Sequence, residues 1–178
     1  MLSIRSTPKP IHHSLFTIHN WYRIGSGNDL HRLEAGRKLI LGGVRVPFEK
    51  GPVGHSDGDA LAHAICDALL GAAALGDIGT HFPNSSPKWR NASSLLFLRQ
   101  TRKLLRKAGY TIVNVDATIG LERPKLAPHI PKMRKKLAAA LGISVEQISV
   151  KAKTGEGVDA VGQGLAIRAD AVVLLGIL

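Results

Sequence analysis

The sequence predicts an α+β fold: one domain built on a mixed β-sheet with helices packed on one face. Three observations predict it. The chain has 178 residues, 44% of them hydrophobic, enough for a single sizeable core. Strand-like and helix-like segments follow one another in the order β-β-α-α-β-α-β-β. Neither an internal repeat nor a second domain is visible.

The elements follow in chain order. Residues 1–21 read as a loosely ordered N-terminal extension before a single domain spanning 22–178. No acid precedes Asp29, and an acid-free start containing Arg and Ser also resembles a transit peptide. "WYRIGSGNDLHRL" and "RKLILGGVRVPF" read as two strands, the second strongly apolar. "HSDGD" follows as a loop in which Ser56 or Asp57 would cap the next helix, expected from Asp59 to Leu75. "NASSLLFLRQTRKLLRKAGY" is an amphipathic helix stopped at Gly109. "TIVNVDATIGL" alternates as a strand does, and "PHIPKMRKKLAAALGI" is a helix stopped at Gly142. Ser144 and Gln147 form a capping box ahead of the strand in "SVEQISVKAKT", and "LAIRADAVVLLGIL" is the last strand.

Composition limits the setting. One cysteine, Cys66, excludes an internal disulfide, fits a reducing cytoplasmic compartment and reads as core filler within its helix. No apolar run approaches the roughly 20 residues that a membrane helix needs. The net charge of +11 calls for a partner rich in phosphate, either nucleic acid or a small phosphorylated metabolite. Only 4% of residues are aromatic, too few for a base-stacking platform. The runs Arg102, Lys103, Arg106, Lys107 and Lys132, Arg134, Lys135, Lys136 read as solvated helix faces.

Three stretches carry chemistry. Asp29 and His31, two apart on a strand, leave the same face. With His63 on the helix they form the two-imidazole, one-carboxylate set of a catalytic zinc with an open position. Asp59, four residues before His63, is expected to orient its ring. Spacing alone leaves the other reading open: a chance Asp-x-His, and a histidine satisfied within its helix. "KAKTGEG" supplies Lys153, Thr154 and Glu156 among glycines that let backbone approach phosphate, with Glu156 suited to Mg²⁺; it reads equally as a polar turn. "ERPKLAPHIP" would hold Lys125 rigid, or is an ordinary strand-to-helix loop.

The segments "RIGSGNDLH", "LILGGVRVPFEKG", "HSDGDALAHAICDALLGAAALGDIGTHFP", "GYTIVNVDATI", "PKLAPHIPKMR" and "VKAKTGEGV" occur in this order. Together they resemble the 2-C-methyl-D-erythritol 2,4-cyclodiphosphate synthase family over about residues 22–175. The resemblance implies a homotrimer of chorismate-mutase-like architecture, with active sites at subunit interfaces. It implies a lyase of the non-mevalonate isoprenoid pathway that cyclises a small CDP-linked phosphate and releases CMP, with neither nucleic acid nor membrane as partner. Asp29, His31 and His63 would bind Zn²⁺, and Glu156 would hold Mg²⁺ or Mn²⁺. Asp29, His31, His55, Ser56, Asp77 and Gly79 would contact the substrate on one side. Leu121, Lys125, Leu126 and Ala127 would form the cytidine pocket. Lys153, Thr154 and Glu156 would take the diphosphate, with His55, Thr154 and Lys153 acting in catalysis.

The chain departs from the family pattern at Asn84, Ser93, Gln163 and Leu165. Acids are common at the first two positions, and arginine and glutamate at the last two. Two rivals follow from the residues: a basic nucleic-acid-binding module, which leaves Asp29, His63 and Glu156 unexplained, and a zinc phosphohydrolase using the same triad.

Overall fold

A computed structural model describes residues 22–178; the extension read at 1–21 lies outside the described residues. The chain forms β1 (Arg23–Ala35), β2 (Leu39–Leu41), β3 (Val44–Val46), β4 (Lys50–Pro52), α1 (Ala60–Ala72), α2 (Ile78–His81), α3 (Ser94–Lys107), β5 (Tyr110–Gly120), α4 (Ile130–Leu141), β6 (Ile148–Lys153) and β7 (Ala166–Ile177). Five strands make one mixed sheet in the order β4-β1-β7-β5-β6, and β2 pairs with β3 as a separate hairpin. Only β5 and β6 run parallel. Among the described residues no helix is long and apolar enough to cross a membrane.

The centre of the core is α1 lying on β1 and β7. Its residues Leu61, Ile65, Leu69 and Leu70 are fully buried, with Ala60, Ala64 and Ala68 between them. Small residues let helix and strand approach unusually closely. A Cβ on Gly25 would lie 2.1 Å from the Ala68 carbonyl oxygen, and one on Gly27 would lie 2.2 Å from that of Ala64. Gly25, Gly27, Asp29 and His31 share one strand face. The helix therefore covers the two glycines and ends where the aspartate and histidine begin. Cys66 is buried core filler, as its neighbours suggest; burial pushes its thiol up to about 12 although Thr101 Oγ1 lies 3.0 Å away.

The structure corrects four local expectations. "RKLILGGVRVPF" is two strands, not one, because Gly42 (φ +54°) and Gly43 (φ +70°) both adopt left-handed backbone and reverse the chain. Helix α1 stops at Ala72, short of Leu75, in a Schellman turn. There the Leu75 N–H donates to the Leu70 carbonyl and the Ala74 N–H to that of Gly71. Ala74 (φ +57°) takes the position glycine usually fills, so the sequence shows no stop signal. The helix cap is Asp59 rather than Ser56 or Asp57, its carboxylate accepting from the Ala62 N–H. Of the basic runs, Arg134 and Lys136 are not simply solvated. Arg134 donates to the carbonyls of Ile148 and Val145, and Lys136 to that of Gly43.

Asp59 is wholly buried and also accepts from the Gly42 N–H (2.9 Å) and the Gly43 N–H (2.7 Å). It joins the hairpin turn to the start of α1. Burial, helped by the charge of Asp57, raises its carboxyl to about 6; the three N–H donors work against that rise. Asp59→Ala strands three inward-facing amides, so we expect a loss of roughly 3 kcal/mol in urea unfolding. Asp77→Ala, which uncaps the exposed four-residue α2, should move the midpoint far less.

Candidate active site

Asp29 and His31 project from the end of β1 that α1 leaves uncovered, and His63 projects from the first turn of α1. Asp29 Oδ2 lies 2.8 Å from His31 Nε2 and 2.9 Å from His63 Nδ1, and the two ring nitrogens are 3.4 Å apart. A tetrahedral zinc with bonds near 2.0–2.1 Å requires ligand atoms about 3.3 Å apart. The three atoms thus already stand close to the edges of such a tetrahedron. His31 donates from Nδ1 to the Val53 carbonyl at 2.7 Å, which turns the lone pair of its Nε2 toward Asp29 and His63. The donor set fits zinc: three acceptors converge in a partly buried cleft, and a cation is what such a set needs.

The electrostatics agree. Burial alone would raise the Asp29 carboxyl, but hydrogen bonds and charge from His31 and His63 outweigh it and hold the group at about 2. The Asp29 hydrogen bond conversely raises His31, against the effect of burial.

The expected role of Asp59 is not met. Its oxygens face the amides of Gly42, Gly43 and Ala62, because the cap points it back into the hairpin turn. The ring of His63 is held by other residues: Nε2 lies 2.9 Å from Ser94 Oγ and 3.0 Å from Ser56 Oγ. Ser94 is a residue the sequence reading missed.

Around the triad lies a cleft of about 330 Å³. Asp29, His31, His55, Ser56, His63 and Gly79 line it on the polar side, and Phe82, Trp89 and Phe97 form an aromatic wall. The wall is a packed cluster: Phe82 stacks on Phe97 at 4.8 Å, and Trp89 meets both edge-on. His55 lines the cleft, and its Nε2 is buried without a hydrogen-bond partner among the described residues. Asn84 also lines the cleft, at a position singled out in the sequence as a departure. Asp77 does not line the cleft; exposed next to Ile78 and Gly79, which do, it caps α2, with its carboxylate held low by hydrogen bonds from the Thr80 hydroxyl and amide.

The other predicted residues form a second cluster elsewhere. The Leu121 N–H donates to the Lys153 carbonyl at 2.9 Å, and the Gly155 N–H to Glu122 at 3.0 Å. These contacts join the loops that follow the parallel strands β5 and β6. Ligands commonly bind at such carboxyl ends. Lys125, Ala127, Lys153, Thr154 and Glu156 are exposed there, with the Thr154 hydroxyl donating to Glu156. Glu156 has left-handed backbone (φ +50°). Leu121 and Leu126 are buried, so only their backbone remains to meet a ligand. Gln163 and Leu165 are exposed in the turn before β7.

Sheet register measures the separation of the clusters. Lys153 pairs with Gly120, Gly120 with Arg168, and Arg168 with Leu30. Three strand spacings, about 14 Å, therefore separate the second cluster from the Asp29–His31 end of β1. One protomer does not bring the two together.

The YgbB family profile matches residues 22–176. A relative named 2-C-methyl-D-erythritol 2,4-cyclodiphosphate synthase, from Gloeobacter violaceus, is 58% identical over 86% of this chain and 94% of its own length. A solved structure of 2C-methyl-D-erythritol-2,4-cyclodiphosphate synthase in a CDP-bound form is 42% identical and superposes with a TM-score of 0.80 over 86% of this chain and 99% of that one. The bifunctional IspDF from Campylobacter jejuni is 34% identical with a TM-score of 0.86; the match covers 89% of this chain and 43% of that protein.

Proposed function

The chain belongs to the YgbB family, and from that premise we infer its reaction. It converts 4-CDP-2-C-methyl-D-erythritol 2-phosphate to 2-C-methyl-D-erythritol 2,4-cyclodiphosphate and releases CMP, a lyase step of non-mevalonate isoprenoid synthesis. The observation that carries the reading onto this structure is the convergence of Asp29, His31 and His63 in a cleft where His55 Nε2 is left free.

In this reaction the 2-phosphate oxygen attacks the β-phosphorus of the CDP group, and the bond from that phosphorus to the CMP oxygen breaks. Atoms balance without water, and no protein nucleophile is required. The chain's task is to fold a flexible polyanion so that its two anionic groups meet, which is chiefly positioning. Asp29, His31 and His63 would hold Zn²⁺, and Glu156 would hold Mg²⁺ or Mn²⁺. These cations, when bound, polarise phosphate oxygens and offset their charge. His55 and Ser56 line the cleft, and their side chains would hydrogen-bond phosphate oxygens. Gly79 leaves room for the methylerythritol carbons, and Phe82, Trp89 and Phe97 keep water from that side. Lys153 and Thr154 stabilise charge on the diphosphate as the bond to CMP breaks. Lys125 and the backbone of Leu121, Leu126 and Ala127 receive the cytidine.

The 14 Å gap between the clusters is closed in a homotrimer whose neighbours supply opposite halves of each site. The outer sheet face supports this reading: Ile24, Leu30 and Val172 are 74%, 63% and 51% exposed. Ser26 and Asn28 stand between Ile24 and Leu30 on that face, and exposed apolar side chains in such a mixed surface are what a partner subunit covers. The single buried Cys66 suits a reducing, cytoplasmic setting.

Co-expression tests the shared site. Neither His63→Ala nor Glu156→Ala homotrimers should turn over. Each mixed trimer, however, contains one interface that joins an intact zinc triad to an intact Glu156. Random mixing should restore roughly a quarter of wild-type CMP release. Mixed trimers as inactive as the parents, with wild-type mixtures surviving the same handling, would refute shared sites.

A further inference from the structure

The residues behind His63 form a relay that the established reaction does not assign. Ser94 is fully buried at the first position of α3. Its backbone N–H donates to Asp57 Oδ2 at 3.1 Å, and its hydroxyl lies in a short hydrogen bond with Asp57 Oδ1. The same hydroxyl oxygen is 2.9 Å from His63 Nε2. We propose that Asp57 and Ser94 are positioning residues, which fix the tautomer and orientation of His63 so that Nδ1 presents its lone pair to a metal.

The hydrogens available to these groups decide the tautomer. A serine hydroxyl has one hydrogen, and a carboxylate only accepts. Asp57 therefore takes the Ser94 hydrogen, and the serine oxygen turns a lone pair to His63. Nε2 of His63 must then carry the ring hydrogen, leaving Nδ1 bare beside Asp29 and His31. A carboxylate behind a metal-binding imidazole is a common device for orienting it. Here a serine stands between the two, because Asp57 lies on the loop before α1 and its oxygens reach α3 rather than the ring.

Two further contacts support the assignment. The ring of His63 stacks on Phe97, three residues along α3 from Ser94, with centroids 6.1 Å apart. Helix α3 thus fixes both the plane of the ring and the direction of its Nε2–H. Ser56 Oγ, 3.0 Å from the same nitrogen, also accepts from it. The Ser56 hydrogen is then left to Ser94 Oγ, 3.4 Å away, or to a phosphate in the cleft. Both ligand histidines consequently have their outer nitrogens committed: His31 to the Val53 carbonyl and His63 to Ser94.

The inference rests on the metal reading above, and the test separates the two. Zinc affinity is measured on the zinc-stripped full chain by competition with a chromophoric chelator, for wild type, Ser94→Ala, Asp57→Asn, His63→Ala and the double variants with His63→Ala. The relay predicts that Ser94→Ala and Asp57→Asn each weaken zinc binding about 10- to 100-fold. In the His63→Ala background the same changes should add nothing further, because Ser94 and Asp57 act only through that ring. A general disturbance of the site would instead lower affinity in both backgrounds. Thermal melts confirm that each variant is folded, and Asp57→Asn carries the cycle should Ser94→Ala fail to fold. Wild-type affinity in both relay variants, or equal losses with and without His63, would overturn the relay while leaving the zinc site standing. Failure of the wild-type chain to bind zinc would overturn the metal reading and the relay together.

Discussion

Replacing His63 with alanine should lower turnover by on the order of 10³-fold or more while leaving the protein folded. The imidazole offers one of the three candidate ligand atoms that converge among the described residues, and no neighbouring group is placed to substitute for it. Ser56 and Ser94 approach Nε2, the far side of the ring, and Asp59 faces the hairpin turn. The fold should survive because α1 is held independently of this side chain. Its start is fixed by the Asp59 cap, and its length is buried through Leu61, Ile65, Leu69 and Leu70. Elemental analysis should show bound zinc strongly reduced along with activity. A fully zinc-loaded His63→Ala protein would remove His63 from the site.

Gly27→Val should have the largest effect on stability. Even a Cβ at this position would lie 2.2 Å from the Ala64 carbonyl oxygen and 2.6 Å from the Ala68 amide nitrogen. Both atoms belong to a helix backbone, which cannot turn aside as a side chain can. Either α1 lifts from the sheet or β1 bends away, and each movement opens the packing around Leu61, Ile65 and Leu69. A loss of about 4–5 kcal/mol is expected, comparable with the whole stability of many domains. Soluble yield and urea unfolding would report it. Gly36→Ala is the control: φ is +79° but nothing lies within 4 Å of the new Cβ, so only backbone strain of about 1 kcal/mol is expected. Gly27→Ala, if it folds, should also weaken zinc binding, because the same displacement separates Asp29 from His63. Wild-type stability in Gly27→Val would show that the close helix–strand contact is not needed.

These two results bear on what the sequence reveals. The Asp29–His31 pair was legible because strand alternation places i and i+2 on one face, and β1 is a long regular strand. His63 was legible as a ligand only beside that pair, since helix spacing alone links it to Asp59, which faces elsewhere. Gly25 and Gly27 continue the Asp29–His31 face, and that spacing is the signal that a helix lies directly on the strand. The Gly42–Gly43 turn was hidden inside an apolar run, although two adjacent glycines are a common hairpin turn. Ser94 left a subtler trace. It falls on the same helical stripe as Phe97, Leu98, Thr101 and Leu105, which are all buried, and a hydroxyl on a buried stripe needs a partner. That the partner would be Asp57 and His63 depends on the packing of α3 against α1, which no local pattern encodes. The separation of the two polar clusters likewise emerged only from sheet register, because the strand order is not the chain order.

This chain should close a cyclic diphosphate by intramolecular phosphoryl transfer. Incubating the protein with 4-CDP-2-C-methyl-D-erythritol 2-phosphate, Mg²⁺ and Zn²⁺, and following phosphorus NMR, tests it most directly. The substrate resonances should give way to those of the cyclic diphosphate and an equal amount of CMP, with no inorganic phosphate. Release of inorganic phosphate would assign the Asp29–His31–His63 centre to a phosphohydrolase, and unchanged substrate in the presence of zinc-loaded, folded protein would contradict the cyclisation outright.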